Sequence, residues 1–224
     1  MIGYFDYTVW LTYFSLLSAT VGILVSLGGD GHPYWGVVFL LFSGLCDAFD
    51  GKVARIKKDR TEQEKKFGIQ IDSLSDLVAF GVLPMCIGMA MLRRSSLLRE
   101  EVVISWLLTG IMVLYVLAAM IRLAYFNVTE EERQKKEKGK IRLSYEGLPV
   151  TSAALIFPTV LLIQHITGPS VDVTPLYFGV GLLTGVLFLS RIRIGKPGLR
   201  GILIMVALGA AEFLIMTLLH FLNH

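Results

Sequence analysis

A chain of 224 residues that is 54% apolar and 17% charged, with a mean hydropathy of +0.65, is too hydrophobic for a soluble domain, in which about a quarter of the residues carry charge. That balance excludes a soluble enzyme or regulator and leaves an integral membrane protein. The formal net charge of +3 is too small, on so apolar a chain, to describe a nucleic-acid binder.

Seven segments are long enough, at roughly 20 residues each, to cross a bilayer as a helix. They are 8–28, 33–56, 70–92, 102–127, 148–166, 174–190 and 200–222. The pattern predicts an all-α polytopic membrane helix bundle, a single domain over residues 1–224, with about six to eight transmembrane helices, seven of them counted here. The first segment has no basic leader and no small-residue cleavage site, so it is expected to stay as a transmembrane helix. Cys46 and Cys86 fall inside apolar segments and read as small buried hydrophobes.

Connections 51–67, 129–146 and 191–200 hold 17 of the 21 lysines and arginines, whereas 29–32 and 167–173 hold none. The positive-inside bias therefore predicts those three basic connections on the cytoplasmic side, the N-terminus inside and the C-terminus outside. A basic rim at the membrane surface attracts anionic headgroups and phosphorylated substrates.

Against this apolar background, Asp47 and Asp50 (i, i+3) share one face of the second segment, and Asp72 and Asp76 (i, i+4) share one face of the third. Four carboxylates facing one another cannot all stay ionised unless cations intervene. An all-oxygen donor set selects hard ions, Mg²⁺, Mn²⁺ or Ca²⁺. Gly51 and Ala54 keep the second helix thin beside its acids, and Gly68 does the same one turn before Asp72. Arg55 adds a planar donor suited to phosphate. Together these residues describe a site for a diphosphate ester. An ion path lined by intramembrane acids is the competing reading; the clustering of the acids at one membrane face, beside arginine and small residues, argues against it.

Further along, Arg122 lies within the fourth predicted span and should face a polar cavity or a partner. Asn127, Arg142 and Tyr145 lie near the ends of the fourth and fifth spans on the acid-bearing side. Glu212 is an isolated acid in the last span and is expected to make a helix-packing or dimer contact.

The pattern Asp47-x2-Asp50-Gly51-x2-Ala54-Arg55, followed by Gly68-x3-Asp72-x3-Asp76, resembles the signature of the CDP-alcohol phosphotransferase family, with every position filled. Twelve residues separate Arg55 from Gly68, a longer link than the family usually has, and they read as a charged cytoplasmic extension. Stretches 67–84, 121–127 and 145–149 look like the bacterial phosphatidylserine synthases of that family, with Ala79, Tyr125 and Thr151 as departures. The resemblance implies transfer of the phosphatidyl group of CDP-diacylglycerol to L-serine with release of CMP. It implies two divalent cations, Mg²⁺ or Mn²⁺, on Asp47, Asp50, Asp72 and Asp76, with Asp76 also the general base. Asp50, Gly51, Ala54, Arg55 and Gly68 would then line the CDP pocket, and Arg122, Asn127, Arg142 and Tyr145 would surround the acceptor or its phosphate. A homodimer is also implied, in a bacterial or archaeal cytoplasmic membrane, with lateral access for membrane lipids and the active site at the cytoplasmic face. The signature does not encode the acceptor, so glycerol 3-phosphate, an inositol phosphate or another alcohol stays open.

Overall fold

The computed structural model describes residues 3–54, 57, 59–95, 98, 100–136, 144–168, 171–195 and 198–222. Among them are eight α-helices: α1 (Trp10–Leu27), α2 (Pro33–Ala54), α3 (Glu62–Asp76), α4 (Leu83–Arg94), α5 (Val102–Lys136), α6 (Ala153–Thr167), α7 (Thr174–Phe188) and α8 (Leu199–Leu222). A π-helical turn, Leu77–Val82, joins α3 to α4, so Glu62–Arg94 runs as one rod of 33 residues. The helices therefore form seven rods in the places of the seven predicted spans.

Five of the described helices are long and apolar enough to cross a membrane by length and composition. α2 has the length, at 22 residues, but carries the acids. α7 is apolar but has 15 residues, about 22 Å at 1.5 Å per residue, short of a hydrocarbon core about 30 Å thick. α5 goes the other way: its 35 residues reach about 52 Å, so the helix runs on into the basic connection expected to begin at 129.

The third rod also begins earlier than the predicted 70, at Glu62, inside the charged link. Its start is fixed by a reciprocal cap: Glu64 donates its backbone N–H to Thr61 Oγ1 at 3.2 Å, and Thr61 donates its own to Glu64 Oε2 at 2.7 Å. Such a cap satisfies two of the amides that a helix start leaves without partners. Two three-residue strands, β1 (Ser144–Glu146) and β2 (Arg193–Gly195), pair antiparallel with Tyr145 opposite Ile194. They tie the α5–α6 connection to the α7–α8 connection.

Helix α2 is held in place by an unusually close approach to α1. Ser15, Ser18, Ala19, Gly22 and Ser26 put small side chains at helical spacing on one buried face of α1. Ser43 donates to the Ser15 carbonyl at 3.0 Å, Ser15 donates to the Ser43 carbonyl at 3.4 Å, and Ser18 donates to the Phe39 carbonyl at 2.9 Å. A Cβ on Gly36 would stand 2.1 Å from Ser26 Oγ, and one on Gly22 2.8 Å from Phe39 Cβ. Where lipid removes the hydrophobic drive between helices, this close packing and cross-helix hydrogen bonding is what associates them.

The core lies around the third rod. Phe80, Leu83 and Ile87 are fully buried there, against Tyr115 of α5, Phe157 of α6 and Tyr177 and Phe178 of α7. The Tyr115 and Phe157 rings meet edge to face at 5.4 Å, and Phe157 and Tyr177 at 4.8 Å. Both tyrosine hydroxyls are paired to the rod's backbone. Pro84 has no N–H to offer the carbonyl four residues back, and Tyr115 donates to that carbonyl, Phe80 O, at 2.5 Å. Tyr177 donates to the Pro84 carbonyl at 2.7 Å. Cys46 and Cys86 are free and buried, as expected. Glu212 accepts a hydrogen bond from Thr159 of α6, which makes it a helix-packing contact.

Replacing Tyr115 by Phe leaves the Phe80 carbonyl buried without a donor. The expected loss is about 1–3 kcal/mol, read as a lowered thermal midpoint of the detergent-solubilised protein; an unchanged midpoint would show that water replaces the hydroxyl.

Candidate metal centre and active site

Asp47 and Asp50 occupy the last turns of α2, and Asp72 and Asp76 the last turns of α3. Helical spacing aims each pair from one face, and the packing of the two rods turns the faces toward each other. Carboxylate oxygens of Asp47, Asp50 and Asp72 all lie within 4.8 Å of one another. Asp76 does not complete the set at that separation, but it is buried beside the triad and interacts electrostatically with all three of its members. The four predicted acids therefore form one cluster, with three in the range of a shared ion.

Helix α1 clamps both acid-bearing helices. Thr12 Oγ1 donates to Asp50 Oδ2 at 3.3 Å, and Ser75, between Asp72 and Asp76 in sequence, donates to the Thr12 carbonyl at 3.2 Å. From the other side, Asn127 of α5 donates its side-chain amide to Ser73 Oγ at 2.7 Å. Asn127 thus buttresses the acid helix, which is a different place from Arg122.

The small residues beside the acids have a neighbour that the sequence did not single out. Arg60, assigned there only to the charged link, lays its guanidinium over Ala54 and Gly68: Nη1 donates to the Ala54 carbonyl at 3.5 Å and Nη2 to the Glu64 carbonyl at 3.2 Å. A Cβ on Gly68 would come within 2.6 Å of Arg60 Nη2. The space that Gly68 leaves is taken by this arginine, where an open wall was expected. The pattern Arg60-Thr61-x2-Glu64 carries the signal in retrospect, since the capping box fixes where Arg60 must lie. Lys57 of the same link pairs with Asp6 and, at 3.2 Å, with Glu64; the two carboxylates hold its ammonium above its ordinary range. Gly51 and Ala54 are half-buried on α2.

Of the residues expected around the acceptor, Arg122 is buried in α5 with its guanidinium 5.5 Å from the Phe126 ring. Arg55 and Arg142, and the side chain of Tyr145, lie outside the described residues.

Chemically, the cluster presents an all-oxygen donor set. That set fits a hard divalent cation and does not fit zinc or copper, which favour nitrogen and sulfur ligands.

The family model for CDP-alcohol phosphatidyltransferase matches residues 7–190. A yeast protein (Saccharomyces cerevisiae) named CDP-diacylglycerol–serine O-phosphatidyltransferase is 32% identical over 154 residues, 67% of this chain and 51% of its own. A Helicobacter pylori protein of the same name is 30% identical over 184 residues, 80% of this chain and 69% of its own. An archaetidylserine synthase of Methanothermobacter thermautotrophicus is 33% identical over 144 residues, 63% of this chain and 52% of its own. The matched region thus spans about half the length of the yeast and archaeal relatives.

Asp72→Asn removes one charge from the triad and should weaken Mn²⁺ binding by about ten-fold or more, followed by the electron paramagnetic resonance signal of free Mn²⁺. An unaltered titration would place the ion elsewhere.

Proposed function

The chain belongs to the CDP-alcohol phosphatidyltransferase family, and from that premise we propose that it transfers the phosphatidyl group of CDP-diacylglycerol to the hydroxyl of L-serine, releasing CMP. The observation that carries the reading is the convergence of Asp47, Asp50 and Asp72 within 4.8 Å, inside the intact family pattern. Serine stands in the names of the yeast, Helicobacter and archaeal relatives alike, while the lipid named differs.

Asp47, Asp50 and Asp72, with Asp76 beside them, would hold two divalent cations, Mg²⁺ or Mn²⁺. When bound, such ions neutralise charge on the diphosphate oxygens and on the departing CMP. The remaining work belongs to the chain. Gly51 and Ala54 let the donor's diphosphate approach the α2 backbone, and Arg60 and Arg55 supply guanidinium donors at its edge. In this reading Asp76 takes the proton of the serine hydroxyl as that oxygen bonds to the phosphatidyl phosphorus. The bond from that phosphorus to the CMP oxygen breaks in the same displacement, and CMP leaves with the electron pair. Arg122, Arg142 and Tyr145 belong to the acceptor side in this reading, while Asn127, first assigned there, holds the acid helix through Ser73.

The diacyl tails must stay in the bilayer, since exposing each methylene costs about 0.8 kcal/mol, so the donor enters sideways between helices. The concentration of basic residues in the connections around the acids, 17 of 21, supports a cytoplasmic active site. The reading includes the homodimer implied by the family resemblance.

CMP release by the purified protein with CDP-diacylglycerol and Mn²⁺ tests the proposal, with L-serine, glycerol 3-phosphate and inositol 1-phosphate compared as acceptors. Serine-dependent release, abolished by chelation and restored by the metal, is the expected result; release driven by another alcohol would overturn the acceptor. Asp76→Asn should lower turnover by roughly 100-fold or more while donor binding persists, and retained turnover would remove Asp76 as the base.

A further inference from the structure

Arg60, in the charged link between α2 and α3, grips both acid-bearing helices at once. Its Nη1 donates to the carbonyl of Ala54, the last residue of α2, and its Nη2 to the carbonyl of Glu64, in the first turn of α3. Among the described residues no carboxylate pairs with it, and its Nε is buried without a hydrogen-bond partner. A guanidinium that leaves water to hold two main-chain carbonyls, with no carboxylate to answer its charge, is placed by the helices to which those carbonyls belong.

The faces it joins are the ones that carry the acids. Glu64, Gly68, Asp72 and Asp76 follow one another at four-residue steps along one row of α3, and Ala54 stands one turn past Asp50 on the row of Asp47 and Asp50. The last carbonyls of a helix lack partners within it and form the negative end of its dipole, so a cation is favoured at the end of α2. The turn gripped on α3 is anchored in its own right: the capping box fixes Thr61 against Glu64, Lys57 bridges Asp6 and Glu64, and Tyr4 donates to Gln63 at 2.9 Å. Gly68 makes the grip possible. Among the described residues beyond its own helix, a Cβ there would meet Arg60 alone, Nη2 at 2.6 Å and Cζ at 3.7 Å.

Resting on the metal reading of the acid cluster, we propose that Arg60 is a positioning residue for the metal centre: its fork holds the end of α2 to the start of α3 and thereby sets how Asp47 and Asp50 stand against Asp72. Gly68 serves that fork in this chain. A lysine could not take its place, because a single ammonium is a point charge and the two carbonyls belong to different helices. Each terminal nitrogen keeps a second N–H, so the grip is compatible with a place at the edge of the diphosphate.

The test is a Mn²⁺ titration of the purified protein without substrate, with free Mn²⁺ followed by its electron paramagnetic resonance signal and the thermal midpoint measured alongside. Arg60→Ala should weaken Mn²⁺ binding by about ten-fold, the scale of losing an outer support of a metal site. The sign separates two roles, because removing a residue that acted only as a nearby positive charge would tighten the binding of a cation. Arg60→Lys should bind Mn²⁺ as weakly as Arg60→Ala. Gly68→Ala displaces the far end of a flexible side chain and adds a better helix former, so it removes the grip while keeping the fold. It should weaken Mn²⁺ binding in the natural chain and by less than about two-fold further in the Arg60→Ala background. Unchanged or tighter binding in Arg60→Ala overturns the inference, even with a lowered midpoint, as does native affinity in Arg60→Lys or an equal cost of Gly68→Ala with and without Arg60. An unaltered protein that takes up no Mn²⁺ overturns the metal reading and this inference with it, whereas a different acceptor alcohol leaves both standing.

Discussion

If ionised together, the Asp47, Asp50 and Asp72 carboxylates, whose oxygens lie within 4.8 Å of one another, would repel by at least roughly 3 kcal/mol per pair at an effective dielectric of about 20. The rest of the molecule is arranged around that penalty. No single contact offsets it: the α1–α2 seam fixes one acid helix by close backbone approach, Thr12 ties α1 to Asp50 and to Ser75, and Asn127 braces the other acid helix from α5. A site that repels itself in the absence of ligand has stored affinity for a counter-charge, which is why rigid packing and cation binding belong together here.

Between the ends of α2 and α3, carboxylate oxygens and small residues suit a hard divalent cation, and α5 reaches this region through the hydrogen bond from Asn127 to Ser73. The lipid-facing parts behave differently again: the apolar window of α8 is almost wholly exposed, with 6% of it buried, as a helix surrounded by acyl chains requires.

Much of this was legible in the sequence, and the reasons differ by feature. The four aspartates stood out because charge in an apolar run is expensive and because i, i+3 and i, i+4 spacings fix a common face without any tertiary information. The number of rods followed from span length. What stayed hidden depended on contacts between distant segments. The early start of α3 was written in Thr61 and Glu64, but the density of charge around them masked the cap. The strands at 144–146 and 193–195 are too short to show a period of two, and each exists only because the other is beside it. Arg60 over Gly68 was carried only by the cap at Thr61 and Glu64, and Tyr125 against Glu146 is the product of a chain crossing that no local pattern records.

The π-helical turn at Leu77–Val82 lets one rod serve two masters. In an uninterrupted α-helix every side chain's direction is set by a single phase, about 100° per residue, so the angle that aims Asp72 and Asp76 at α2 would also dictate where Phe80, Leu83 and Ile87 point. The wider turn resets that phase immediately after Asp76. The acid-bearing half of the rod and its core half thus have independent orientations, and the packing around the core half can drift over evolutionary time without turning the acids away from their partners.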